Sequence, residues 1–386
     1  MLLTIIIFLL VLSVLVLVHE FGHFLTARFF GVKAEEFGLG FPPRAIGWYR
    51  NRFGKWRTIA GNRSVESLEA SDNEALHPAK HATIYSLNWL PLGGFVKIKG
   101  ENGGDKDEGD SFSSKNITRR IAILSAGVIM NIVLAWILFS VGYMIGLPQS
   151  SDTLGKKARV TDAQVLVQEV LPESAAASAG LKAGDAILRI NDMGIETEKV
   201  LQDAVAASAG REAELLIKRE GVEQTVKVTP PVKEGGRATI GIAIYSSGLV
   251  RYPFFVAFWE GAKTTGWILE QIVVAFGNLF TQIFHGDNVG DQFAGPVGIA
   301  KITGQAAHLG FTYLLQFMAL LSLNLAVINI VPFPALDGGR ILFLAIEKMK
   351  GKPVRKEVEA LIHNIGFLLL IAVIIFVTYK DIIKLF

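Results

Sequence analysis

Between Leu2 and Val18 the chain carries only two polar residues, Thr4 and Ser13, and beyond His23 the apolar character resumes with Phe24, Leu25, Phe29 and Phe30. A helix of that length and character spans a bilayer. Near its far end sits His19-Glu20-Phe21-Gly22-His23. Residues four apart lie nearly one above the other on a helix, so the two imidazoles share a face. This is the H-E-x-x-H pattern, in which the histidines hold one metal ion and the glutamate serves as base. The pattern alone also arises by chance. Its membrane setting adds weight, because ionisable residues at bilayer depth are costly and point to function. A secretory signal is the competing reading of residues 1–18. No basic segment precedes the apolar run and no small-x-small cleavage site follows it, so the run reads as a retained span.

The bulk composition agrees with a membrane protein that carries a sizeable soluble part. Hydrophobic residues make up 51% of the 386 residues, charged residues 19%, and mean hydropathy is +0.41. A net charge of +3, spread along the chain, gives no basis for nucleic-acid binding. Cysteine is absent, which excludes disulfides and thiolate metal sites. A metal here is held by His, Asp or Glu.

Along the chain, the first span (1–30) leads into a region (31–116) with Arg44, Arg50, Arg52, Arg57 and Arg63, a basic content that favours the cytoplasmic side. Its Gly93-Gly94-Phe95-Val96-Lys97 stretch alternates like a strand. Such a strand either closes an ordinary hairpin or offers an open edge to an extended substrate. A polar loop over 101–116 precedes the second span (117–147). There Ser125, Ala126 and Gly127 allow a close helix approach, and Asn131 is suited to an interhelical hydrogen bond. Residues 150–246 break into short alternating runs and read as one inserted α+β domain. The next region, 250–300, is rich in aromatics but interrupted by Glu260, Lys263 and Glu270, and reads as an interfacial amphipathic helix and loop. Four spans, rather than five, then put the basic loops 33–63, 115–120 and 348–356 on one side. The third span (310–346) carries Pro332 and Pro334, which break its helix, and Asp337 between apolar neighbours. A carboxylate so placed is costly unless a cation binds it. A basic loop and a fourth span fill 347–386.

His19, His23 and Asp337 thus offer three ligands, and the open fourth position is the pattern of catalytic zinc. Glu20 stands beside them as the proton carrier.

In the inserted domain, Ala179-Gly180-Leu181-Lys182-Ala183-Gly184-Asp185, followed by Ile187, Ile190 and Asn191, resembles a circularly permuted bacterial PDZ domain. Ile240, Gly241 and Ile242 resemble its carboxylate-binding loop and groove strand. The resemblance leaves open a peptide groove and a steric plug. Across nearly the whole chain, His19-Glu20-x-x-His23 and Asn329-x-x-Pro332-x-Pro334-x-Leu336-Asp337-Gly338 resemble the site-2 proteases, the intramembrane zinc metalloproteases, most closely their bacterial RseP type. Gly295-Pro296-Val297-Gly298 also fits. The resemblance implies Zn2+ as cofactor, Asn329 as an oxyanion or substrate-backbone contact, and Asn324 as a weaker candidate for such contact. It makes Gly93, Gly94, Phe95 and Val96 part of a membrane-associated β-loop that pairs with substrate. There are two departures. Gly127-Val128 stands where relatives often carry Gly-Pro, and one PDZ domain stands where the best-known members have two.

The expectation is a polytopic α-helical protein of the bacterial cytoplasmic membrane with four transmembrane helices, a membrane-associated β-loop region and one extracytoplasmic PDZ domain. It would cut single-span membrane proteins, already shortened outside the membrane, within their transmembrane segments. Anti-sigma factors and remnant signal peptides are the implied substrates. The alternatives are a membrane-tethered PDZ adaptor with a structural metal site and a surface peptidase acting on soluble chains.

Overall fold

The computed structural model describes residues 2–61, 63, 67–68, 74–79, 82–101, 107–150, 159–219, 221–232, 238–286 and 294–384. Part of the polar loop read over 101–116 (102–106) lies outside them. The described helices are α1 (Leu2–Phe29), α2 (Ile117–Ile145), α3 (Ala175–Ser178), α4 (Glu198–Ala207), α5 (Phe254–His285), α6 (Pro296–Leu309), α7 (Phe311–Ile330), α8 (Asp337–Lys350) and α9 (Lys356–Ile383). Among the described residues, α1, α2, α5, α7 and α9 are long and apolar enough to cross a membrane. The chain divides into two compact units. One holds Met1–Leu138, Ala262–His308 and Phe317–Phe386, the other Phe139–Gly261 and Leu309–Gln316.

In the first unit, α1 packs closely on α2 where Gly22 meets the backbone of Ala126. A Cβ on Gly22 would lie 2.3 Å from the Ala126 carbonyl oxygen, so only glycine permits this approach. After α1 comes a sheet of β1 (Ala34–Arg50), β2 (Trp56–Ile59) and β3 (Ile84–Ile98) in the order β2-β1-β3. Its register shows a further fold. Phe37 pairs with Val96 on one side and Tyr85 on the other, and Gly47 pairs with Ser86 and Ile59. Each long strand therefore doubles back, β1 near Pro42-Pro43 and β3 near Pro91, where a missing N–H interrupts the ladder. This leaves Gly94–Ile98 as an edge segment, paired with β1 on one side only. It runs along α1: Cβ atoms on Gly93 and Gly94 would meet Val16 and Leu17 at 3.1 and 3.3 Å.

Within the region 310–346, the helix break expected at Pro332 and Pro334 separates two helices. After α7 the backbone turns through 331–336, and a new helix, α8, starts at Asp337. Gly338 and Gly339 make this possible. Their Cβ atoms would lie 2.3 Å from the carbonyl oxygens of Ile330, Val331 and Phe333, so any side chain there would push α8 off the end of α7. The helix α6 was absent from the sequence reading. Its start is held by Asp381 near the end of α9, whose carboxylate accepts the Gly298 N–H at 2.7 Å. The Gly295-Pro296-Val297-Gly298 run thereby acquires a structural reason, since both glycines face that carboxylate.

The second unit is an antiparallel sheet of β4 (Leu147–Ser150), β5 (Arg159–Val170), β6 (Ala186–Ile190), β7 (Met193–Gly194), β8 (Ala213–Arg219), β9 (Val222–Val228) and β10 (Ile242–Arg251). Its order is β4-β10-β5-β6-β8-β9, with β7 on β6. The sheet therefore reaches beyond the 150–246 boundaries read from sequence. Alternating residues of β5 and β8, with Ile187 and Ile190 of β6, enclose a core with Leu181, Leu201 and Val205 from α3, α4 and their turns. The Gly180–Asp185 turn is pinned by Asp185. It is almost fully buried, accepts the Lys182 N–H at 2.8 Å, and receives both Nε and Nη2 of Arg219 at 2.7 Å.

Candidate metal centre

His19 and His23 project from α1, and Asp337 enters from the first turn of α8, where the helix N-terminus favours a carboxylate. Their ligand atoms converge. His19 Nε2 lies 3.1 Å from His23 Nε2 and 3.0 Å from Asp337 Oδ2, and His23 Nε2 lies 3.4 Å from that oxygen. Donors about 2.0–2.1 Å from a tetrahedral zinc ion sit roughly 3.3 Å apart. The trio therefore fits one zinc ion and leaves a coordination position open.

The outer contacts agree. His23 Nδ1 donates to the Ile123 carbonyl at 2.8 Å, which fixes the proton on Nδ1 and leaves the Nε2 lone pair for metal. His19 Nδ1 lies 3.2 Å from the side-chain amide of Asn131. The atom placed against the ring is Nδ2, while the amide oxygen is buried without a partner among the described residues; exchanging the two amide atoms satisfies that oxygen, which then accepts the Nδ1 proton and frees Nε2 in the same way. The sequence alone predicts an interhelical bond for Asn131. Its backbone carbonyl does accept one, from Ser322 of α7 at 2.7 Å. The sequence marks Gly127 as a site of close helix approach. A Cβ there would lie 2.4 Å from His23 Nε2 and 2.7 Å from His19 Nε2, in the space the ion needs. A small residue in α2 was visible in the sequence, but which ring it faces was not.

Glu20 is half-buried, and its carboxylate accepts the Val96 N–H at 3.1 Å. Asn329 lies in the last turn of α7 and makes no side-chain hydrogen bond among the described residues, so its amide is uncommitted. The Asn324 amide donates to Leu320 of its own helix at 2.9 Å, which leaves it less to offer a substrate. Gly93, Gly94, Phe95 and Val96 lie on the turn and edge segment of β3. Ile240 is buried in the core of the inserted domain. Its carbonyl and that of Gly241 accept the N–H groups of Ala176 and Leu171, both at 2.9 Å, and Ile242 opens β10.

The sequence profile of peptidase family M50 matches residues 7–60 and 74–373. The chain belongs to peptidase family M50. It is 31% identical over 438 residues to the regulator of sigma-W protease RasP of Bacillus subtilis, covering 99% of both chains. To the zinc metalloprotease RasP of Bacillus licheniformis it is 31% identical over 435 residues, again covering 99% of both. Among solved structures, the PDZ domain of a Listeria monocytogenes SdrC-like protein is similar at 23% identity, covering 22% of this chain and 92% of its own, with a TM-score of 0.21. This M50 member is thus a multi-pass membrane protein and an intramembrane zinc protease.

Proposed function

We propose that this M50 protease is an endopeptidase of the bacterial cytoplasmic membrane that hydrolyses bonds within transmembrane segments of single-span proteins, His19, His23 and Asp337 holding its zinc. The observation that carries the reading is the trio of ligand atoms 3.0–3.4 Å apart, with Glu20 next in the same helix. When bound, zinc supplies Lewis-acid activation of the carbonyl and of water. Glu20 takes the proton of the attacking water and returns it to the leaving amine. The Asn329 amide donates to the carbonyl oxygen as charge develops there. A helical substrate hides its carbonyls, so it must be extended before it can be cut, and the Gly94–Ile98 edge accepts that form. The sigma-W name of the Bacillus subtilis relative favours anti-sigma factors as substrates.

Two contacts within the inserted domain favour a filter over a peptide groove. On the open side of β10, residues 247–250 pair with β4, and the Ser246 N–H is held by Glu198 of α4 at 2.8 Å. Much of the edge a peptide would use is therefore taken by the chain itself. The adaptor reading with a structural metal is disfavoured by the three-ligand set, because structural zinc sites are closed by four protein ligands.

Glu20→Gln tests the assignment. The variant should retain zinc and lose cleavage of a transmembrane reporter by at least 100-fold. A zinc-loaded variant that cuts at the wild-type rate would overturn it.

A further inference from the structure

The Glu20 carboxylate is held by the backbone of the strand that would receive substrate. Val96 pairs with Phe37 of β1, yet its N–H points to Glu20 at 3.1 Å, so it faces away from β1. In an antiparallel strand alternate residues face the same way. Gly94 and Val96 are two apart and therefore present their backbone groups on the same outer side, where a further strand would add. A segment pairing there needs the Val96 N–H as a donor to one of its carbonyls. That donor is engaged by the catalytic base.

We propose that the Val96 N–H is shared in turn. It holds the Glu20 carboxylate while the edge is empty, and it passes to a carbonyl of the extended substrate when the edge is filled, releasing Glu20 to take a proton. The inference rests on the endopeptidase reading and adds a coupling to it. An apolar segment that stays helical cannot take the donor, so the base stays engaged. One that unwinds onto β3 frees the base in the act of binding. The residue is a positioning residue acting through Glu20, and its N–H selects for extended backbone rather than for side chains.

The coupling makes Glu20 a competitor of substrate binding, which is measurable without turnover. The probe is a fluorescent, extended apolar peptide, bound to the full-length, zinc-loaded protein in nanodiscs at low temperature and read by anisotropy before cleavage begins. Hydrogen bonds to charged groups are strong enough that removing the competing carboxylate should tighten binding about tenfold. Glu20→Ala should therefore bind most tightly, Glu20→Gln should fall between it and wild type, and wild type should bind least tightly. Val96→Pro deletes the donor at an outward-facing edge position, where proline is tolerated. Added to Glu20→Ala, it should erase the gain. Equal affinities across the series, or a gain that survives Val96→Pro, would overturn the proposal. Should the proline variant fail to fold, the α-hydroxy analogue of valine at position 96 removes the N–H without the ring and gives the same test. Reporter cleavage by the wild type tests the endopeptidase reading separately, so failure of either is visible without the other.

Discussion

At the scale of single residues, the metal centre is shaped as much by what is missing as by what is present. Spacing alone puts His19 and His23 on one face of α1, because four residues make little more than one helical turn. Nothing local in the sequence places Gly127 against them, since that contact joins positions more than a hundred residues apart. The structure makes the absence of a side chain at 127 a requirement. Gly127→Ala inserts a methyl group where both imidazoles point, and one ring must turn out of position. The expected outcome is a folded protein whose zinc content and cleavage both fall at least tenfold, read by metal analysis of purified protein and by the reporter. Normal zinc content in Gly127→Ala would mean that the rings have room the structure does not show. Asn131 follows the same logic. An asparagine in an apolar helix signals an interhelical bond, but only the fold shows that its partner is the His19 ring.

At the scale of elements, patterns with short reach were legible and those with long reach were not. The alternation after Gly94 marks a strand, but the doubling of β1 and β3 depends on which strand halves meet across the sheet. The prolines mark the bends without saying what pairs beyond them. In the inserted domain, the run from Gly180 to Asp185 carries a turn signal, since Gly180 and Gly184 have φ of 80° and 91°. Its counterpart Arg219 lies at the end of β8 and has no sequence mark of its own. The two-pronged contact from Arg219 is what makes the buried Asp185 carboxylate tolerable. Arg219→Ala leaves that carboxylate buried and should destabilise the domain by about 3 kcal/mol. Hydrogen exchange on the full-length protein would read this as faster exchange in β6 and β8, with the amides of α1 and α2 unchanged. Protection equal to wild type in β6 would show that the Lys182 N–H alone suffices for Asp185.

At the scale of the whole molecule, the topology turns on whether α5 crosses the bilayer, and charge counting and packing within the membrane unit bear on it independently. By length and composition α5 qualifies as a span. The neighbours of α6 argue for the interfacial reading. Gly304 packs on Thr4 at the start of α1, and Gly298 is bound by Asp381 near the end of α9. These helix ends lie on the side opposite the basic 31–63 region if α1 and α9 each cross once. The other face of the unit has its own marker. Arg120, at the start of α2, pairs with Glu347 of α8 at 2.6 Å, which brings the 348–356 loop beside the 115–120 loop. The four-span reading we propose, in which the chain reaches α7 without a net crossing, keeps the three basic loops on one side, as the positive-inside rule favours. A fifth crossing would put 348–356 opposite 115–120 and pull Arg120 from Glu347. The expected result follows by labelling single cysteines, free of background because the chain has none of its own. Cysteines at Lys115 and Lys352 should both be blocked from an impermeant reagent in intact cells and both react after lysis, while one at Lys199 in α4 should react from outside. Lys352→Cys reacting in intact cells, with Lys115→Cys protected, would make α5 a span.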